Sequence, residues 1–334
     1  MSKEVRAFGT WASPVTPALL ARGGARLSFP DVLDSGELAW VESRPSEGGR
    51  YVPVRSGPSG PADVLPPPCS VRTRVHEYGG RGHVFTGDAV FFVEAKDHQL
   101  HVARGADISP IGTPSGLRLA ELVVDAGRSR VIAVGELHEG SGEPKNGICA
   151  VSLEGGALAW LAEGHDFFAA PALSPDGSTL AYLAWDHPHM AWDAATLHVA
   201  SITDGGSLGP ARAVAGGSDG SAFQPTWSPG GELYFALEVG ERWSLHRERA
   251  GRVELVADAG VELGAPLWNL GTRLFGFADA RTVVGTGLWA GRSRVVKIDV
   301  ESGDTRLLTD ALPHVGELAC RGGRALALAG WAGS

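Results

Sequence analysis

An all-β propeller is the fold class this 334-residue sequence predicts, seven-bladed with an incomplete last blade and a short N-terminal helix. Three observations predict it. The 47 glycines and 21 prolines make about a fifth of the chain, too many for a helical protein and too few for a disordered one. Hydrophobic residues stand at 43%, enough for a core, and fall in short runs between turn residues. One unit, an apolar strand, a glycine turn and a second apolar strand, recurs along the chain.

The elements follow in order. Residues 1–25 form a leading segment, in which Thr16 caps a short helix beginning at Pro17 and Gly23-Gly24 stops it. The clearest repeats are Ala172-Leu173-Ser174-Pro175-Asp176-Gly177-Ser178-Thr179-Leu180-Ala181-Tyr182-Leu183 and Thr226-Trp227-Ser228-Pro229-Gly230-Gly231-Glu232-Leu233-Tyr234-Phe235-Ala236. Weaker copies centre on Gly36, Gly87, Gly127, Gly271 and Gly323. Gly36 to Gly323 gives about 48 residues per repeat, the spacing of four-stranded propeller blades. Outer hairpins follow six of the seven inner pairs, such as Thr196-Leu197-His198-Val199-Ala200 before Asp204-Gly205-Gly206. The expected blades are about 26–65, 70–113, 117–164, 168–216, 221–258, 261–310 and a partial 314–334. The last lacks its outer half and would leave an unpaired edge.

Charge and composition exclude several functions. Twenty-nine Lys and Arg against 38 Asp and Glu give a net charge of −9, with no basic stripe for nucleic acid. No apolar run reaches the roughly 20 residues of a membrane span. Met1-Ser2-Lys3-Glu4-Val5-Arg6 lacks the apolar stretch of a secretory signal. Cys69, Cys149 and Cys320 are odd in number and far apart, so they read as reduced thiols and point to the cytoplasm.

Specific strings add to the period. Val71-Arg72-Thr73-Arg74-Val75-His76-Glu77-Tyr78-Gly79-Gly80 resembles a second-blade signature of bacterial prolyl-oligopeptidase-family serine peptidases, the dipeptidyl-aminopeptidase and acylaminoacyl-peptidase-like members. Ser174-Pro175-Asp176-Gly177 followed by Trp185-Asp186-His187-Pro188-His189-Met190-Ala191-Trp192-Asp193 is similar to their fourth-blade signature. Relatives usually carry Asn and Pro where His189 and Ala191 stand. Phe8-Gly9-Thr10-Trp11-Ala12-Ser13-Pro14 and Arg44-Pro45-Ser46-Glu47-Gly48-Gly49-Arg50 resemble their N-terminus. The resemblance covers essentially the whole chain. It implies the substrate-gating propeller that precedes an α/β-hydrolase domain, with the Ser-Asp-His triad on that other domain. It therefore implies no catalysis by this chain alone, with short peptides and a hydrolase domain or partner chain as partners. A free-standing peptide- or protein-binding propeller, or one half of a split peptidase, is the alternative.

The residues offer little chemistry of their own. Gly216-Gly217-Ser218-Asp219-Gly220 fits G-x-S-x-G, but Pro225 argues against the helix a nucleophile elbow needs. His187 and His189 with Asp186 and Asp193, or His98 and His101, lack a matched second pair for a metal. No metal or cofactor is expected. The candidates for substrate binding or cavity lining are Arg72, Arg74, His76, Glu77, Tyr78, Trp185, Asp186, His187, Trp192 and Asp193. Glu77 could pair with a substrate α-amine, or with Arg72 and Arg74 to fix blade contacts. The two tryptophans could line a cavity or pack between blades.

Overall fold

A computed structural model describes residues 5–330 apart from 219 and 241. The sequence readings on residues 1–4, on Asp219 of the G-x-S-x-G string and on residues 331–334 lie outside the described residues. Strand follows strand, and each sheet pairs its strands in chain order. The first holds β1 (Arg26–Val32), β2 (Leu38–Arg44), β3 (Arg50–Arg55) and β4 (Ala62–Asp63). The second holds β5 (His83–Thr86), β6 (Ala89–Val93), β7 (Leu100–Arg104) and β8 (Asp107–Pro110). The third holds β9 (Leu117–Asp125), β10 (Arg130–Leu137), β11 (Lys145–Ser152) and β12 (Leu158–Ala162). The fourth holds β13 (Phe167–Leu173), β14 (Thr179–Trp185), β15 (Thr196–Ser201) and β16 (Arg212–Gly216). The fifth holds β17 (Ala222–Trp227), β18 (Leu233–Val239), β19 (Arg242–Arg249) and β20 (Arg252–Ala257). The sixth holds β21 (Phe275–Phe277), β22 (Thr282–Trp289), β23 (Arg292–Asp299) and β24 (Thr305–Thr309). The remaining sheet is a pair, β25 (His314–Arg321) and β26 (Arg324–Gly330).

The molecule is thus an all-β propeller with six four-stranded blades, and a full seventh blade is not present among the described residues. Helices are few. Helix α1 spans Pro17–Arg22, and the Leu19 amide donates to Thr16 Oγ1 at 3.1 Å, the cap expected of threonine there. Helix α2 is one turn, Ala191–Ala194.

The repeat turn has a clear local cause. Gly177 takes φ +70, and Asp176 Oδ1 accepts from Ser174 Oγ at 2.6 Å and from the Ser178 amide at 3.0 Å. Ser228 closes the equivalent turn by accepting from the Glu232 amide, and Gly231 takes φ +85. One expected turn is misplaced. Gly271 does not join two strands; the sixth inner turn lies at Asp279, whose Oδ1 accepts from the Arg281 and Thr282 amides. Gly271 is glycine for another reason: φ is +88, and a Cβ would lie 2.5 Å from that of Arg81.

Most second strands are buried along their length, and Phe92, Phe168, Leu180, Tyr234 and Phe235 anchor the packing between sheets. The innermost strands share a bulge. Register shifts fall at Ser28/Asp31 of β1, Ala169/Ala172 of β13, Phe223/Thr226 of β17 and Val315/Leu318 of β25. A bulge re-aims side chains, and here acceptors reach the next sheet. Glu121 Oε2 accepts from the Ala170 amide at 2.6 Å, and Gln224 Oε1 from the Leu274 amide at 2.6 Å. Glu317 Oε2 accepts from the Phe29 amide at 2.6 Å, which ties the last sheet to the first. Arg321 paired with Asp34, and Arg324 donating to the Gly36 carbonyl, add to that seam. The ring is closed at its inner strands although the last sheet has only two.

Candidate functional site

Turns between first and second strands lie on one face of the ring, and blade-to-blade crossings lie on the other. The crossing face carries most of the singled-out residues. The 71–80 segment is the crossing into the second sheet. It tightens as the Glu77 amide donates to the Arg74 carbonyl and the Gly79 amide to the Val75 carbonyl. His76 and Glu77 take left-handed φ of +52 and +64, uncommon for such residues and held here by tertiary contacts.

Glu136, at the end of β10, is the main anchor. Its Oε2 accepts from the His76 amide at 2.7 Å, and its Oε1 accepts from Arg118 Nη1 at 3.0 Å and lies 2.5 Å from His138 Nε2. Arg118 also donates to the Arg74 carbonyl and lies 3.5 Å from Glu77 Oε1, while Arg74 lies 3.9 Å from Glu77. Glu77 therefore sits between two guanidiniums, yet its side chain stays 73% exposed. The His76 ring is wedged edge-on between Phe167 at 5.1 Å and Trp185 at 6.0 Å. Burial there pushes its pKa down to about 4, against the attraction of Glu136. Its Nε2 has no hydrogen-bond partner.

Beside this wedge stand two His–Asp contacts between loops. His165 Nδ1 lies 2.8 Å from Asp186, and His187 Nδ1 lies 2.8 Å from Asp166. The 186–193 segment is thus pinned to the 165–166 loop, and no group of three His, Cys, Asp or Glu able to hold a metal occurs among the described residues. Asp193 accepts from the Met190 amide and starts α2. Trp192 then meets Trp268 at 4.6 Å, and Trp268 meets Tyr78 at 5.3 Å. Tyr78 and Trp268 are exposed, so this aromatic trio forms an open wall on the crossing face.

One candidate lies elsewhere. Arg72 stacks over the Tyr51 ring at 5.4 Å and lines a groove of the first sheet with Glu47 and Asp63. It forms no ion pair with Glu77 among the described residues, although it has the same exposed parity as Arg74. The G-x-S-x-G string forms the crossing after β16, with φ of +91, +88 and +138 at Gly216, Gly217 and Gly220. A strand, β17, follows it rather than a helix, and no histidine hydrogen-bonds Ser218 among the described residues.

Sequence reading missed Glu136, Arg118, Phe167 and Trp268. Glu136 leaves a signal, a lone acid in the apolar run Val131-Ile132-Ala133-Val134-Gly135-Glu136-Leu137. Trp268 leaves none, since residues 264–271 carry no strand pattern. It also missed that the crossing loops meet over the ring's centre. The Arg81 amide donates to the Leu270 carbonyl at 2.8 Å, and the Leu270 amide donates to the Gly79 carbonyl at 3.0 Å. Gly80 lies so close to Leu270 that a Cβ would stand 2.2 Å from its carbonyl oxygen. Val75 and Leu270 are buried in one cluster with Phe168 and Trp185 of the fourth sheet. The central tunnel is plugged on this face.

No protein-family model matches the sequence, and no curated protein does. Solved structures do. The crystal structure of puromycin hydrolase matches at 29% identity and a TM-score of 0.86, over 96% of this chain and 52% of that one. A puromycin-hydrolyzing peptidase of Mycobacterium tuberculosis matches at 30% identity and a TM-score of 0.87, with the same coverage. Prolyl oligopeptidase B of Galerina marginata matches at 11% identity and a TM-score of 0.65, over 92% of this chain and 47% of that one, and shows the fold alone. The chain spans about half the length of these peptidase structures. No helix among the described residues is long and apolar enough to cross a membrane.

Proposed function

From a chain that resembles, over nearly its whole length, the propeller of puromycin hydrolase and of the prolyl oligopeptidases, we propose the substrate-selecting domain of a serine peptidase of that family. The crossing face, with the aromatic wall of Tyr78, Trp192 and Trp268 and the exposed Glu77 carboxylate, is the face set against an α/β-hydrolase domain. Size selection there admits short peptides. No peptide chemistry is expected of the chain alone: among the described residues no histidine hydrogen-bonds Ser218, and a strand rather than a helix follows its string. We also read β25 and β26 as the inner half of a seventh blade. The three unpaired cysteines fit a reducing compartment such as the cytoplasm.

One observation carries this reading: exposed Glu77 is positioned by buried Glu136 through Arg118 on the face where the aromatic wall stands. A carboxylate so presented can hold a substrate's α-ammonium group. The test fuses this chain in place of the propeller half of the Mycobacterium tuberculosis peptidase. Glu77→Gln should raise KM for an aminoacyl anilide with a free amine by roughly fivefold, the worth of an exposed ion pair. KM for the N-acetylated substrate should not move. An equal change for both substrates would remove the amine-binding role.

A further inference from the structure

The plug turns the tunnel into a blind chamber of about 530 Å³. It is walled by Asp31, Arg81, Glu121, Gln224 and Arg273, and it opens past Pro175, Pro229 and Gly322 of the strand turns. Its mouth is therefore on the face opposite the candidate site. A volume of this size suits a small organic ligand.

The chamber's polar groups are nearly all engaged. Glu121, Gln224 and Glu317 accept backbone N–H groups of neighbouring sheets. Arg81 gives Nη1 to Asp31 at 3.2 Å and Nη2 to the Pro30 carbonyl at 2.8 Å. Arg321 is paired with Asp34. Two donors remain. Arg81 is 3% exposed, and its Nε has no partner. Arg273 makes no side-chain hydrogen bond and no ion pair within 4.0 Å among the described residues, although Asp31, Glu121 and Glu317 act on it at longer range. Arg273 is exposed, and it lines the chamber.

We infer that the blind chamber is a binding site for a small carboxylate, held by the free guanidinium fork of Arg273 with the Nε–H of Arg81 beside it. A planar guanidinium matches a carboxylate with two parallel hydrogen bonds. Repulsion by Arg81, then burial, lowers the Arg273 pKa to about 10, and an anion between the two cations relieves that repulsion. The acids do not fill the role. Asp31 is committed to Arg81, and Glu121 and Glu317 are committed to the Ala170 and Phe29 amides. This site is separate from the peptide-facing one, since the plug stands between them.

The test is calorimetry on the full chain with N-acetyl-triglycine, whose amine is blocked so that Glu77 has nothing to hold. Saturable binding is expected, at least tenfold weaker for the C-terminal amide of the same peptide and for Arg273→Met. Arg273→Lys keeps the charge without the fork and should fall between wild type and Arg273→Met, which serves as the readout if the methionine variant does not fold. Glu77→Gln should bind as wild type does. The inference is overturned by absent binding, by equal binding of acid and amide, by binding that Arg273→Met leaves intact, or by tighter binding of inorganic phosphate.

Discussion

Gly80→Ala is expected to destabilise the protein by about 3 kcal/mol, the upper end of ordinary overpacking. The added Cβ would meet Leu270 O at 2.2 Å and Leu270 N at 2.6 Å, both backbone atoms that cannot rotate away. Either the 79–81 segment or the 266–271 loop must retreat, breaking the bonds between Arg81 and Leu270 and between Leu270 and Gly79. Gly142→Ala is the control, for nothing lies within 4 Å of its would-be Cβ. Urea unfolding of the two variants checks the difference. Equal midpoints would mean that the loops do not meet across the tunnel.

The second large effect is loss of stability in mild acid. His83 is fully buried between Phe29 and Phe85, with no partner for either ring nitrogen. Burial, then the neighbouring Arg81 charge, lowers its pKa to about 3, and burial lowers that of His76 to about 4. The unfolded histidines take protons near pH 6.5 while the folded ones do not. Each therefore withdraws stability as pH falls from 6.5 towards its folded pKa, at about 1.4 kcal/mol per pH unit. His198 and His246, lowered by burial, act in the same direction. Glu121 opposes them. Burial raises it to about 6, so its folded form takes the proton first between about pH 6 and its ordinary 4.5. His83→Phe removes the unsatisfied nitrogens and should be neutral or stabilising at pH 7. It should also flatten the decline between pH 6.5 and 4 by about one histidine's share. A slope unchanged from wild type would contradict the assignment.

What could be read from the sequence was local. The Ser174–Asp176–Gly177 turn is made by residues within five positions of one another, so it is visible in the string. The same is true of the Thr16 cap. Failures came where one local pattern served two purposes. Gly271 resembles a strand turn, yet it is glycine because Arg81 packs against it from far away in sequence. Gly79-Gly80 was readable as a place of close backbone approach, but its partner, Leu270, lies in a loop with no pattern of its own. Arg273 looks like any surface arginine until the plug makes its surroundings a chamber. Arg72 and Arg74 are equivalent by type and by alternation, yet one stacks over Tyr51 and the other lies beside Glu77 where the chain bends into the 74–79 turn.

The central claim is that the crossing face is where a hydrolase domain and its substrate meet this propeller. Hydrogen exchange compared between the isolated chain and its fusion to the Mycobacterium tuberculosis hydrolase half tests it most directly. Added protection is expected in 74–81, 186–195 and 266–271, with the turns at 174–178 and 228–232 unchanged. Protection on those turns, or none on the crossing loops of an active fusion, would contradict it.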